Sequence, residues 1–191
     1  MQKSISFNDQ SIRLIRKGCK TQTRRLFDKV IQKYGPSLYG VGAKLMVQEA
    51  FRLFRERNYK MNTDSGYYLE YRADGAVDRE IEWKKPSEMT QNESRLEITI
   101  LAQRDEPVQE ITDHDAIDEG VFWSNSHDGW VIDDDGSFLS ESPRDTFKKW
   151  FISIYGPEPW DNNDCVVVLE FEAKQTRYKV NFFQQMLSAK G

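Results

Sequence analysis

Gly18-Cys19-Lys20-Thr21-Gln22-Thr23-Arg24-Arg25 is the stretch on which the reading of this 191-residue chain turns. Upstream of it, Asn8 or Asp9 can cap a helix running to about Lys17, with Ile12, Leu14 and Ile15 as its apolar residues. Gly18 stops that helix, because glycine enters the left-handed conformation at little steric cost. Beyond the stop, alternation and two β-branched threonines predict an extended strand. Positions 21, 23 and 25 then share one face, and 20, 22 and 24 the other. Clustered cations disfavour protonation of one another, so a lysine here can act as a base, with a nearby threonine hydroxyl as nucleophile or orienter. A solvated basic edge strand, whose charges blunt edge-to-edge pairing, accounts for the same residues.

Working outward, Ser4 to Phe7 alternates like a short strand, and Lys44 to Glu49 reads as another. Tyr34-Gly35-Pro36-Ser37 and Gly40-Val41-Gly42 are turn material. Residues 50 to 66 are charged and aromatic without a clear period. Tyr67 to Arg72 reads as a strand stopped at Asp74-Gly75, and Glu80 to Asn92 as loop. Arg95 to Gln103 alternates strongly and is a strand that Pro107 ends or bends. Thr112 is an N-cap for a helix reaching Gly120. Residues 121 to 141 form a loop or hairpin. Ser142-Pro143 opens the clearest helix, whose apolar residues are Phe147, Trp150, Phe151 and Ile154, and Gly156-Pro157 stops it. Cys165 to Phe171 is a nearly unbroken β-branched run and a buried strand, and the tail after Lys174 is weakly amphipathic. About six strands and three or four short helices, with no regular βαβ series, predict an α+β domain around a mixed or antiparallel sheet or a small barrel. The expected organisation is a single domain over 1–191, with an insertion at about 50–92 and an acidic loop at about 121–141.

Composition narrows the classes. A hydrophobic share of 38% is low, but five Trp, eight Tyr and eleven Phe supply a core through large side chains, which argues against disorder along the whole chain. No apolar run approaches the ~20 residues that span a bilayer. Met1-Gln2-Lys3-Ser4 is followed by no apolar stretch, so no signal peptide and a cytoplasmic location are expected. Cys19 and Cys165 are too few for a disulfide framework, and with His114 and His127 they form no metal-ligand pattern. There is no Walker loop, dinucleotide fingerprint or serine elbow, and the expectation is no metal and no cofactor. Asp133-Asp134-Asp135 reads as a solvated acidic turn.

The net charge of −4 averages two opposed regions. Residues 11 to 33 carry Arg13, Arg16, Lys17, Lys20, Arg24, Arg25, Lys29 and Lys33 against Asp28 alone. Residues 105 to 143 carry twelve acids and no Lys or Arg. The first supports phosphate contact, while the second repels a long duplex and favours a short or single-nucleotide ligand.

The glycine-to-arginine stretch resembles the Gly-x-Lys-Thr-x-Thr-x-Arg signature of the ASCH domain superfamily, a PUA-like β-barrel fold. Gly42-Ala43-Lys44-Leu45-Met46-Val47-Gln48-Glu49 is similar to that family's Gly-Asp-x-Leu-x-Val-x-Glu strand, with Ala43 in place of Asp. Ser94-Arg95-Leu96-Glu97-Ile98 is similar to its Ser-Arg strand element, and Ile111 to Gly120 looks like its acidic helix ending in Glu-Gly. Trp150 to Phe171, with Tyr-Gly-Pro and Trp-Asp-x-Asn before a Val-rich strand, completes the pattern, which is closest to phage and prophage proteins. The resemblance implies an ASCH barrel of about six strands with short flanking helices and an insertion. One member of the family removes the acetyl group of N4-acetylcytidine with a Lys as proton acceptor, a Thr as nucleophile and a Glu as proton donor. By motif these positions are similar to Lys20, Thr23 and Glu119. The resemblance also implies that Thr21, Arg24, Arg25, Glu49 and Arg95 bind ligand.

Three functions follow as expectations. The first is binding of RNA, single-stranded nucleic acid or a modified nucleotide. The second is an amidohydrolase acting on acylated nucleosides through Lys20, Thr23 and Glu119. The third is a phage accessory protein that binds a host protein through the acidic region. Glu119, near a helix C-terminus, faces the unfavourable end of the dipole and calls for a partner such as Lys20 or an Arg; a structural salt bridge meets that need as well as a catalytic role does. Trp123, Trp130 and Trp160 serve either as base-stacking platforms or as core and loop anchors.

Overall fold

A computed structural model describes residues 3–28, 39–58, 63–75, 82–133 and 135–176. Lys29, Lys33, the turn at Tyr34 to Ser37, Asp134 and the tail beyond Thr176 lie outside the described residues. The element order is β1 (Ser4–Ser6), α1 (Asp9–Arg16), β2 (Gln22–Leu26), β3 (Lys44–Gln48), β4 (Phe51–Asn58), β5 (Thr63–Tyr71), β6 (Leu96–Pro107), α2 (Asp113–Asp118), β7 (Phe122–Ser124), β8 (Gly129–Val131), α3 (Pro143–Tyr155), α4 (Glu158–Asp161) and β9 (Cys165–Gln175). The protein is α+β. Five strands form one sheet in the order β1-β3-β6-β9-β2, and β4-β5 and β7-β8 are two-stranded. The large sheet is mixed: β1 runs parallel to β3, and β2 antiparallel to β9 with Thr23 opposite Leu169 and Arg25 opposite Val167.

The helix ends follow local chemistry. The Asn8 side chain accepts the Ser11 amide at 2.8 Å and starts α1. Gly18, at φ 74°, ends it, and the Cys19 amide donates back to the Leu14 carbonyl at 2.9 Å. Thr112 and Asp115 form a reciprocal capping box at α2. Ser142 caps α3 with Pro143 behind it, and Gly156 closes it.

The chain divides into two compact units. One comprises Met1–Arg13, Met46–Glu97 and Lys174–Gly191, and the other Leu14–Leu45 and Ile98–Ala173. In the second unit, Phe147, Trp150 and Phe151 of α3 pack with Leu14, Leu26, Val108, Ile111, Ala116, Ile132, Trp160, Val166 and Val168. Burying each of the large side chains stabilises the fold by about 1.5–3 kcal/mol. Ile154, expected on the inward stripe, is 43% exposed. Tyr155 takes that place, its ring 4.7 Å from that of Phe151.

In the first unit, β4 and β5 form a hairpin that sets Phe51 opposite Tyr71 and Leu53 opposite Leu69. Residues 50 to 66 were expected to lack a strand period, yet Phe51–Asn58 is a strand. Phe51 is fully buried with Tyr71 and Met89, whereas Leu53 is 37% exposed. Cross-strand pairing supplies the order that the sequence period does not announce.

Candidate functional site

The Gly18–Arg25 segment is held where the end of α2 meets β2. The Thr21 amide donates to the Asp118 carbonyl at 2.8 Å, and the Phe171 amide donates to the Thr21 carbonyl at 2.8 Å. These bonds fix the face carrying positions 20, 22 and 24. Lys20 Nζ donates to Glu119 Oε2 at 2.5 Å and to the Glu119 carbonyl at 2.8 Å. The two side chains are 1% and 0% exposed. The Lys20 ammonium also lies 5.2 Å from the centre of the Trp150 ring.

Arg24 continues the network on the same face. Its Nη1 donates to Gln22 Oε1 and lies 3.4 Å from Glu119 Oε1. Its Nη2 donates to Glu106 Oε1 at 2.7 Å and lies 3.3 Å from Asp115 Oδ2. Arg104 then joins Glu106, Asp115 and Glu170, each at 2.7 Å. The cationic and acidic stretches of the sequence therefore neutralise each other here: Lys20 and Arg24 come from the first, and Glu106, Asp115 and Glu119 from the second. An isolated buried charge costs several kcal/mol, and this mutual pairing is what allows Lys20, Arg24 and Glu119 to leave water.

The ionisation states follow from that setting. Burial pushes the Lys20 ammonium below its usual range, Arg25 and Arg24 push the same way, and Glu119 opposes them. Burial works to raise Asp115, but hydrogen bonds from the Thr112 hydroxyl and amide, with Arg24 and Gln22, hold its carboxyl well below the usual carboxylate range. Burial raises the Tyr155 phenol; Arg25 opposes the shift and Glu119 adds to it.

Of the residues singled out in sequence, Lys20, Glu119 and Arg24 meet. Thr23 is buried in β2, but strand parity turns it to the opposite face, and among the described residues no hydrogen bond joins it to Lys20 or Glu119. Thr21 is exposed with its hydroxyl 3.4 Å from Asp118 Oδ1, and Arg25 is half-buried. Glu49 and Arg95 belong to the first unit. There Arg95 grips Glu49 through two bonds of 2.8 Å, reaches Asp74 at 2.6 Å, and lies 3.9 Å from the centre of the Tyr71 ring. Burial opposes its charge, but the bonds to Glu49 and Asp74 hold the guanidinium firmly protonated.

Sequence reasoning did not single out Gln22, Asp115, Glu106, Arg104, Trp150 and Tyr155 as site residues. The parity of 20, 22 and 24 was the available signal for Gln22. Asp115 was visible only as part of a helix start, and Glu106 lay past the strand expected to end at Gln103. Of the three tryptophans, Trp160 is buried, Trp130 is half-buried, and Trp123 is 47% exposed. Among the described residues no group of three or more His, Cys, Asp or Glu is placed to hold a metal ion, and no helix is long and apolar enough to cross a membrane.

No family model matches the chain, and no curated protein or solved structure matches it.

Proposed function

We infer that the protein is an ASCH-like binder of RNA, single-stranded nucleic acid or a modified nucleotide, of phage or prophage type and acting in the cytoplasm. The PUA-like barrel implied by the sequence resemblance is part of the same proposal. The observation that carries it is the Lys20–Glu119 contact at 2.5 Å across 99 residues of chain. The resemblance gives those two positions roles in one reaction, from motifs far apart in sequence, and the two side chains meet. In this reading the cations nearer solvent that could meet a phosphate are Arg16 and Lys17 at the end of α1, with half-buried Arg25 beside Tyr155.

A second reading is an amidohydrolase that removes the acyl group of N4-acetylcytidine-like nucleosides. One observation favours it: burial lowers the Lys20 pKa, which is what a proton acceptor requires. Its nucleophile, Thr23, lies on the opposite face of β2, and for that reason binding is preferred.

The test titrates the purified protein with N4-acetylcytidine and, separately, with a short single-stranded RNA at several salt concentrations. The proposal expects RNA affinity that falls as salt rises, or saturable nucleoside binding without turnover. Absence of both, or RNA affinity indifferent to salt with no nucleoside binding, overturns it. Acetate release abolished by Lys20→Ala replaces it with the hydrolase.

A further inference from the structure

A concavity lies away from the Lys20 network, in the same unit. The β7-β8 hairpin, the segment Leu139–Glu141 and the start of α3 enclose a cleft of about 720 Å³, within the size range of ligand pockets. Its apolar surface comes from Trp123 and Leu139, which are 47% and 40% exposed.

The cleft is built rather than incidental. The Trp123 ring stands edge-on to Trp130, with centroids 5.7 Å apart at 82°, and its indole N–H donates to Asn125 Oδ1 at 3.1 Å. An exposed aromatic is thereby held in one orientation. The opposite wall is pinned by two reciprocal backbone bonds of 3.0 Å between Trp130 and Ser140. At Gly129 a Cβ would lie 2.6 Å from Leu139 Cδ1 and 3.2 Å from the Ser140 carbonyl oxygen, so the Leu139 side chain packs directly over the glycine.

The charges select the occupant. Asp128, Glu141, Asp145, Lys148 and Lys149 line the cleft. Lys149 Nζ donates to the Leu139 carbonyl at 2.7 Å, and Lys148 Nζ lies 5.5 Å from the centre of the Trp160 ring. Asp145 accepts the Ser142 hydroxyl at the start of α3. Among the described residues Asp128 and Glu141 have no ion-pair partner, and both are exposed. Two unpaired carboxylates beside an oriented indole attract a cation twice, through charge and through the ring face. They repel a phosphate.

We propose that this cleft docks an arginine- or lysine-bearing peptide segment of a protein partner, with the cationic side chain over Trp123 and its charge met by Asp128 and Glu141. This binding is separate from the nucleotide reading of the Lys20 region and stands or falls without it.

The experiment follows the indole N–H signals of the full chain by NMR, with that of Trp123 assigned from Trp123→Phe. The probes are an amidated heptapeptide alternating alanine and arginine, its alanine–glutamate counterpart, and uridine monophosphate. The arginine peptide is expected to shift the Trp123 signal saturably, and the other two to leave it in place. Trp123→Ala, followed through the indole N–H of neighbouring Trp130, should weaken the peptide about fivefold, the size of an exposed cation–π contact. Asp128→Asn with Glu141→Gln should weaken it about tenfold through two lost exposed ion pairs; Asn tolerates the positive φ of 50° at position 128. These variants change surface side chains, and an otherwise unchanged spectrum verifies their fold. The proposal is overturned by no shift at millimolar arginine peptide, by unaltered affinity in Trp123→Ala, or by a larger response to the glutamate peptide or the nucleotide.

Discussion

Lys20 Nζ and Glu119 Oε2 lie 2.5 Å apart with neither side chain reaching solvent. Lys20 also donates to the Glu119 backbone carbonyl at 2.8 Å, so one residue supplies both a charge and a helix-end acceptor. This arrangement removes the cost that Glu119 otherwise carries at the C-terminal end of α2. It also ties the exit from α1 to the exit from α2, and any ligand that uses Lys20 or Glu119 must compete with their bond to each other.

Lys20→Met leaves Glu119 buried with Arg24 as its remaining cation, at 3.4 Å. The expected loss is about 3–5 kcal/mol, the cost of orphaning one member of a buried pair. Glu119→Gln should cost a similar amount. The double variant should cost clearly less than the sum, because it removes both desolvated charges. Urea denaturation of the four proteins checks this, and additive losses would show that the two residues are not coupled.

Stability should rise with pH at the alkaline end and fall at the acid end, each for a separate reason. Burial lowers the Lys20 pKa, so between its folded value and the ~10.4 of an unfolded lysine the unfolded chain binds more protons. Raising pH through that window relieves a penalty. Asp115 is held below its usual range, chiefly by Thr112 bonds that outweigh burial. Its contribution is complete above the ~3.9 of an unfolded Asp and is lost as pH falls toward the folded value. Thermal melts over pH should show Lys20→Met flattening the alkaline rise and Asp115→Asn flattening the acid loss.

Gly120→Ala should destabilise by about 1–3 kcal/mol through backbone strain, with a steric clash in addition. Gly120 sits at φ 106°, and an added Cβ would lie 2.8 Å from Leu14 Cδ1. Pairing it with Leu14→Ala removes the clash but not the strain. In differential scanning calorimetry the double variant should therefore lose less than the sum of the singles, yet stay below Leu14→Ala alone.

Arg95→Lys keeps the charge but loses the two-pronged grip on Glu49 and the ring contact with Tyr71. A loss of about 1.5–3 kcal/mol is expected, since a point charge cannot reproduce a planar fork. Guanidinium denaturation measures it. Tyr71→Leu removes the ring contact, together with the hydroxyl bond to the Glu93 carbonyl, and Arg95→Lys in that background should cost less than in the wild type.

Much of the local order was legible along the chain. Asn8, Gly18, Thr112, Ser142 and Gly156 mark helix ends through bonds to residues three or four positions away, so their signal lies within a short window. The strands announced themselves over 44 to 48, 96 to 103 and 165 to 171 through alternation or β-branched runs, because each buries a face or both there. The shared parity of Lys20, Gln22 and Arg24 was readable for the same reason.

What no local window holds is the identity of a distant partner. That Arg24 faces Glu106, Asp115 and Glu119, rather than a ligand phosphate, depends on β2 pairing with β9 and on α2 ending against Thr21. The same +7 and −12 stretches read equally well as surfaces for opposite partners until packing sets them against each other. Thr23 fell to the other face of β2, because a one-residue difference in position decides which side of a strand a side chain joins. Charge and periodicity are additive along a sequence. Desolvation is not, and it was desolvation that turned a basic motif into a buried ion-pair network.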